Sequence, residues 1–366
     1  MQVLTVNTGS SSIKLRVLSA DDAVLREHDA DAPGTGVDTE ALASALRALG
    51  RPDAVANRIV HGGDRAGPER IDAALVAELA GLAPLAPLHQ PKALAALACA
   101  GMTLRGVPAV ACFDTAFHAG LPAEAATYAL PAEWRERFGL RRRGFHGLSH
   151  CYAAGRAGEL LGLAADARIV SCHLGAGASL AAVRNGASLD TTMGFTPLEG
   201  LVMATRSGSV DPGLVLWLVQ QGIAPEEVGD ALERRSGLLG VAGTADMREL
   251  LARDDPQARL ALGVYLHRLA GAAAAMAAAL GGLDALVFTG GVGEHAPAVR
   301  AGAAERLAFL GVELEPRANV GADGDAVLSA PGARVGCAVV AAREDVEMAR
   351  QARSVLTSPS DHRGVE

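Results

Sequence analysis

The sequence predicts an α/β protein made of two related domains, and three observations lead there. One grammar, an apolar strand, a small-residue turn and a second apolar strand, occurs twice. Helical patterns lie between and after the copies. The chain has 366 residues, 50% of them hydrophobic, and roughly 100–200 residues per domain allows two cores.

The first copy is Val3–Val6 and Ile13–Leu18, joined by Asn7-Thr8-Gly9-Ser10-Ser11-Ser12. A Gly/Ser turn between two strand-like runs is a hairpin signal. The second copy runs from Arg168–His173 through Leu174-Gly175-Ala176-Gly177-Ala178-Ser179 to Leu180–Arg184 and the Asn185-Gly186 turn. A third apolar run, Ala285–Thr289, ends in Gly290-Gly291-Val292-Gly293-Glu294. The intervals are too long and irregular for a solenoid, so duplication of a domain is the better reading. Asp211-Pro212 reads as a helix start, N-cap then N1, running to Gly222. Asp255-Pro256 repeats that signal and opens a run to Leu280, and Thr39–Leu49 is helical in pattern too. The last ten residues, Thr357–Glu366, are polar and expected to fray. No long linker appears, which predicts two domains packed around a shared cleft, where ligands commonly bind.

Composition narrows the function classes. The balance of 33 basic against 41 acidic residues gives −8, which argues against a nucleic-acid binder, since that role wants a basic surface. Five cysteines (Cys99, Cys112, Cys151, Cys172, Cys337) are odd in number and widely spaced with no CxxC pair, pointing to a reducing cytoplasm rather than a disulfide framework. The first residues, MQVLTVNTGSSSIKL, lack the basic region and long apolar core of a signal peptide. The most apolar stretch, Leu269 to Leu283, is short of the roughly 20 residues of a membrane span and mostly alanine, so it reads as a buried helix of a soluble, membrane-free protein. Lys14 and Lys92 are the only lysines, and Lys14 sits in the first turn.

Several motifs carry chemistry. In Asn7–Lys14, successive N–H groups can form an anion nest, Lys14 can neutralise phosphate charge and Asn7 can hold a metal or its water; a plain tight hairpin fits equally well. GxxxxGK[ST] occurs nowhere, which excludes a P-loop. Gly175–Ser179 is a poor dinucleotide fingerprint, because the third glycine is missing and a strand follows. A second phosphate-facing hairpin suits it better, with His173 beside it or simply in the core. Arg58 in NRIVHGG and Arg206 in ATRSG are flanked by apolar residues and glycine rather than acids. Such arginines look reserved for a carboxylate or phosphate, which the guanidinium fork matches. Asp114 follows the apolar run Pro108–Cys112, at a strand end. His146 and His150 are four apart, a metal-ligand spacing, yet HExxH is absent and no third ligand presents itself. A glycine-flanked histidine aimed at a phosphoryl group is the sharper idea. Glu344, in a helix-opening Arg-Glu-Asp, reads first as a helix-dipole acid.

The strings NTGSSSIK, NRIVHGG, APLHQPK, ACFDTAFH, RRGFHGLSH, CHLGAGASL, TMGFTPLEGLVMATRSGSVDP, TADMR, FTGGVGE and REDVEMA follow one another in order. Together they closely resemble the acetate kinase family, from first strand to last helix. The resemblance implies duplicated actin-like (ribonuclease H-like) ATPase domains around a central cleft. One lobe would be 1–118 plus 347–366 on the acyl side, the other 119–346 on the nucleotide side. It implies reversible transfer of the γ-phosphoryl group of ATP directly to acetate, giving acetyl phosphate and ADP, with Mg²⁺ (or Mn²⁺), in a cytoplasmic homodimer.

By position, the resemblance assigns Asn7 and Glu344 to the metal. It assigns Ser10, Ser12, Lys14, His173, Leu174, Gly175, Ala176 and Gly177 to the nucleotide. Asp246, Met247 and Arg248, with Gly291, Val292, Gly293, Glu294 and His295, complete that set. Arg58 would clamp the acyl carboxylate, with Val60, Leu88, Phe145 and Pro197 around its methyl and His89 nearby. His146 and Arg206 would stabilise the transferring phosphoryl group, and Asp114 would orient the metal water or the arginines. The family usually has asparagine where Ala176, His295 and Arg343 stand, and Gln90 interrupts its usual HNP segment. These departures put nucleotide preference in question rather than the reaction. A propionate or butyrate kinase, an actin/Hsp70-like ATPase and a nucleotide-binding regulator are the alternatives.

Overall fold

The computed structural model describes residues 1–9, 12–31, 36–87 and 89–357. The chain divides into two compact units, Met1–Ala119 with Arg343–Glu366, and Gly120–Ala342.

The first unit holds a six-stranded sheet. β1 (Val3–Thr8), β2 (Ser12–Leu18) and β3 (Val24–Asp31) form an antiparallel meander. β4 (Ala54–Ile59) and β6 (Ala109–Phe113) then add in parallel, and the short β5 (Glu69–Arg70) closes the edge, in the order β3-β2-β1-β4-β6-β5. The fully buried β1 suits a central position, where both faces are covered. Leu42, Leu46 and Ala100 from two helices pack on Leu4, Val6 and Leu15. The helix Glu344–Thr357 turns Val346, Met348, Ala349 and Ala352 inward and packs on β1, β4 and β6.

The second unit repeats the plan. β7 (Ile169–Leu174), β8 (Ala178–Arg184) and β9 (Ala187–Thr191) form the meander. β10 (Ala285–Thr289) and β12 (Gly336–Val339) add in parallel, and β11 (Ala326–Val327) closes antiparallel, giving β11-β12-β10-β7-β8-β9. The two sheets share one topology strand for strand, including a register shift late in each second strand, between Val17 and Leu18 and between Ala182 and Val183. The duplicated hairpin grammar is therefore a duplicated α/β fold.

The helix start signals hold. Asp211 accepts from the N–H of Gly213 ahead of Pro212–Gln220, and Asp255 caps Pro256–Ala279. The latter helix is long and apolar enough by length and composition to cross a membrane, but it buries Tyr265, Leu266, Leu269 and Met276 within its own unit. Gly290–Glu294, expected as turn residues, instead open a short helix, Gly290–His295. The edge strand β3, exposed almost throughout, had no apolar alternation to announce it. Of the polar C-terminal stretch, residues 358–366 lie outside the described residues, as do Ser10 and Leu88. All five cysteines are free thiols.

Candidate active site

In the first unit, the parallel pairing of β1 with β4 and of β4 with β6 brings three polar side chains together at the carboxyl ends of the strands. This is where open α/β sheets place their sites. Arg58 Nε lies 3.1 and 3.2 Å from the Asp114 carboxylate oxygens, and Nη2 donates to Oδ2 at 2.7 Å. Nη1 donates to Asn7 Oδ1 at 3.0 Å. Asp114 is 1% exposed. Burial opposes the charge on Arg58, but the charge and hydrogen bonds of Asp114 outweigh it and, with Glu344 adding, hold the guanidinium above its ordinary pKa. Lys14 stands directly across the hairpin from Asn7, so the two share a face of the sheet.

The turn after β4 is tied down by the unexpected Gln90. Its Oε1 accepts from the N–H of His61 at 3.1 Å, and its Nε2 donates to the carbonyls of His61 and Leu79. This fixes the buried Val60 just before that turn. His89 immediately precedes the helix Gln90–Thr103. One turn on, the fully buried Lys92 donates to the Gly9 carbonyl at 3.0 Å, and burial pushes its ammonium pKa down.

The second unit gathers the remaining motifs. His173 pairs with Thr289 across β7 and β10, so the turn through Gly177 and the helix Gly290–His295 leave the sheet at the same end. The helix is anchored from behind. Arg300, 1% exposed, donates to the carbonyls of Gly293 and Glu294 and to Asn319 Oδ1 at 2.8, 2.6 and 2.8 Å. Glu294 Oε1 in turn accepts from the N–H of Ala342 at 3.0 Å. Asp246 caps Met247–Leu251 and pairs with Arg248, whose hydrogen bond holds the Asp246 carboxyl at about 2.

His146 sits in the left-handed region, φ 57°, at the start of the helix Gly147–Leu161. Its Nδ1 lies 2.9 Å from Ser179 Oγ, and its ring stacks on His173 with centroids 4.3 Å apart. Ser149 Oγ holds His173 Nδ1 at 2.7 Å. His146 and Arg206 converge on the turn: a Cβ placed on Gly177 would lie 3.3 Å from Arg206 Nη1 and 3.4 Å from His146 Nε2. Arg206 is buried, and its Nη1 donates to the Pro197 carbonyl at 3.2 Å, with Met203 Sδ at 3.5 Å. Among the described residues it has no carboxylate within ion-pair distance, and burial lowers its pKa against the opposing charge of Glu233.

Three residues that the sequence did not single out position this loop. Tyr128 Oη donates to Glu199 Oε2 at 2.6 Å and accepts from the N–H of Phe195 at 2.8 Å. Arg142 Nη2 donates to Glu199 Oε1 at 2.8 Å, and Nη1 reaches the carbonyls of Thr192 and Met193. The N–H groups of Arg143 and Gly144 meet the Gly194 carbonyl, directly before Phe145 and His146. A Cβ on Gly194 would run into Glu199 Oε2 and Tyr128 Oη, so a side chain there would have to displace that hydrogen-bonded pair. An acid amid the apolar MGFTPLEGL was the available signal for Glu199.

Val60 thus belongs to the first unit, Phe145 and Pro197 to the second, each buried or partly buried. No group of three or more His, Cys, Asp or Glu suited to a metal occurs among the described residues. Asn7 and Glu344 offer hard oxygen donors, and Mg²⁺ is commonly held by one or two such groups plus water and substrate phosphates. Both are donors of the type that ion takes, and Asn7 Oδ1 also accepts from Arg58 Nη1.

A sequence model of the Acetokinase family matches residues 38–350. A Rhodopseudomonas palustris protein named acetate kinase is 48% identical over 304 residues, 82% of this chain and 76% of that protein. A Deinococcus deserti protein of the same name is 46% identical over 331 residues, 87% and 83% of the two. Among solved structures, Porphyromonas gingivalis acetate kinase superposes with a TM-score of 0.87 at 34% identity, covering 97% of this chain and 99% of that one. A propionate kinase from Francisella tularensis gives 0.88 at 32% identity over the same shares. With motif, sheet topology and full-length likeness in agreement, this chain belongs to the Acetokinase family.

Proposed function

We propose that this chain is an acetate kinase, transferring the γ-phosphoryl group of ATP directly and reversibly to acetate. The observation that carries the reading is the convergence of Arg206 and His146 on Gly177 with no carboxylate within ion-pair distance of the arginine among the described residues. A carboxylate nucleophile, pKa near 4, is already ionised at neutral pH and needs no general base. The obstacle is repulsion between two anions, which calls for fixed donors and cations rather than a catalytic triad.

Arg58 receives the acid's carboxylate, oriented by Asp114, while Val60, Leu88, Phe145 and Pro197 take its methyl and His89 stands near. The nucleotide is assigned to Ser10, Ser12, Lys14, His173–Gly177, Asp246–Arg248 and Gly291–His295. The first unit is the acyl side and the second the nucleotide side. Asn7 and Glu344 would hold Mg²⁺, whose charge would offset that of the phosphates. We place the protein in the cytoplasm as a homodimer. The helix Pro212–Gln220 supports the dimer: it buries no residue and exposes Leu214, Leu216 and Trp217 at 47, 64 and 53%. Trp217→Glu should yield a monomer by light scattering; an unchanged mass sinks that interface.

The likeness to the Francisella propionate kinase favours one rival, a preference for the longer acid. One methylene discriminates by only ~1–3 kcal/mol, so propionate turnover is expected even where acetate is preferred. ATP-dependent acyl-hydroxamate formation with acetate, propionate and butyrate, with and without Mg²⁺, is the test. Magnesium-dependent product favouring acetate supports the reading. Product favouring propionate replaces the substrate, and ATP hydrolysis without any acid points to an ATPase.

A further inference from the structure

We propose that Ser171, His150 and Ser179 form a hydrogen-bonded relay that fixes His146 as the neutral Nε2–H tautomer. That N–H is then presented beside Arg206 to the transferred phosphoryl group. The last clause rests on the role assigned to His146 above; the relay itself rests on geometry.

Four side chains make an unbroken chain inside the second unit. Ser171 Oγ lies 2.9 Å from His150 Nδ1, His150 Nε2 lies 2.8 Å from Ser179 Oγ, and Ser179 Oγ lies 2.9 Å from His146 Nδ1. Ser171, Ser179 and His150 are all fully buried. Each hydroxyl owns one proton and each neutral imidazole one N–H, and a Ser179 accepting from both rings would leave its own buried proton with no acceptor among the described residues, so the chain runs in one of two directions. In the first, Ser171 donates to His150, His150 to Ser179 and Ser179 to His146 Nδ1. The remaining proton of His146 then sits on Nε2, the atom facing Gly177 and Arg206 Nη1. In the second, every bond reverses, His146 Nε2 becomes an acceptor, and Ser171 accepts from His150.

The buried end of the chain decides between them. Ser171 lies within β7, and its hydroxyl meets no polar partner other than His150 Nδ1 among the described residues. In the reversed chain its proton would be buried without an acceptor, a state proteins avoid. The forward chain gives both serine protons and the His150 N–H an acceptor. The tautomer of a histidine is set by the bond its other nitrogen makes, and here that bond is set two residues further back. The outcome also suits the ligand: a donor at Nε2 welcomes an anion, whereas a lone pair there would repel it.

Ser171, His150 and Ser179 are positioning residues in this scheme, and their effect is read on a nucleus rather than on activity alone. The experiment is ¹⁵N NMR of the full-length chain labelled at histidine, at neutral pH, with His146 assigned by its loss in His146→Gln. The expected spectrum places a proton on Nε2 and none on Nδ1. A proton on Nδ1, on both nitrogens or averaged between them overturns the relay. Ser171→Ala should let His146 Nδ1 acquire protonated population and lower kcat about 10–100-fold, the usual cost of losing such a supporting bond, with KM for ATP unchanged. Ser171→Thr, which keeps the hydroxyl, should restore both readouts. An unchanged tautomer and kcat in Ser171→Ala overturns the proposal, and if that variant does not fold, the wild-type spectrum still decides. Wild-type hydroxamate assays separate the two readings. An Nε2 proton without acid-dependent transfer leaves the relay and removes the kinase reading; transfer with an Nδ1 proton does the reverse.

Discussion

The two units each place an arginine near their candidate site, Arg58 partly buried and Arg206 buried, and they treat it oppositely. Arg58 is matched in advance: Asp114 takes two of its nitrogens and Asn7 the third. Arg206 is given a carbonyl and a thioether, with no carboxylate at ion-pair distance among the described residues. The pKa directions follow, Arg58 raised by its partner and Arg206 lowered by its burial. A paired guanidinium is held in place but has part of its field already neutralised. An unpaired one costs stability in the free protein and offers its whole charge to an arriving anion. The difference teaches which arginine positions and which one stabilises developing charge.

The largest expected effect tests Arg206. Arg206→Ala should lower kcat by ~10³ or more, as removal of a phosphoryl-stabilising arginine does elsewhere. A loss below tenfold removes it from that role. The same variant should unfold at an unchanged or higher temperature, because a buried charge without a partner is removed. Arg58→Met should do the opposite to stability. It takes the guanidinium away from the Asp114 carboxylate, 1% exposed, and breaking such a pair typically costs ~3–5 kcal/mol. Denaturant unfolding of both variants compares them directly. Equal stability losses at the two sites would mean that the contrast between the arginines is not energetic.

Glu199 offers a smaller but more selective test. It sits where two segments cross, one carrying Pro197, whose carbonyl holds Arg206, the other leading through Gly144 to Phe145 and His146. Glu199→Gln keeps the shape but weakens both charge-assisted bonds. Supporting residues of this kind are worth ~10–100-fold, so kcat/KM for the acid should fall at the lower end of that range. KM for ATP should hold within a factor of about two, since the turn at Gly177 and the helix Gly290–His295 are anchored separately, the latter by Arg300. An equal rise in both KM values would show a general loosening instead.

Much of the fold was legible because strand and turn chemistry are local. Asn7–Ser12 and Leu174–Ser179 announced the two hairpins, and Asp211-Pro212 and Asp255-Pro256 announced helix starts. Arg58, Arg206 and Asp114 stood out because charged residues without charged neighbours are rarely surface decoration. What stayed hidden depends on pairs far apart in sequence. Nothing near Ser171 or Ser179 advertises His150, although the spacing of His146 and His150 did draw notice as a possible metal pair. Tyr128 and Glu199 are 71 residues apart, and Tyr128 lies beside the bridge that pairs Thr127 with Arg141, next to the Arg142 that also binds Glu199. Gln90 read as a departure from a motif, and its three hydrogen bonds give it a structural purpose. Gly290–His295 misled because a glycine-rich string reads locally as a turn, whereas the sheet end and Arg300 hold it helical.

The smallest expected effect concerns Ala176, one residue from the glycine on which Arg206 and His146 converge. Its side chain is exposed, and its carbonyl already accepts from the N–H of Ala204 at 3.1 Å, so the backbone of the turn is fixed from the second unit's own loop. Ala176→Asn therefore adds an amide to a preformed turn without displacing anything. A single neutral hydrogen bond nets about 0.5–1.5 kcal/mol, so KM for ATP should fall roughly two- to tenfold. An interaction made equally in the ground and transition states leaves kcat alone, which is the split expected here. Arg206→Ala is expected to show the reverse split, kcat lost with KM nearly kept. Should Ala176→Asn change kcat instead, the turn would be acting on the phosphoryl group itself, and the boundary between nucleotide binding and charge stabilisation would lie one residue earlier than Gly177.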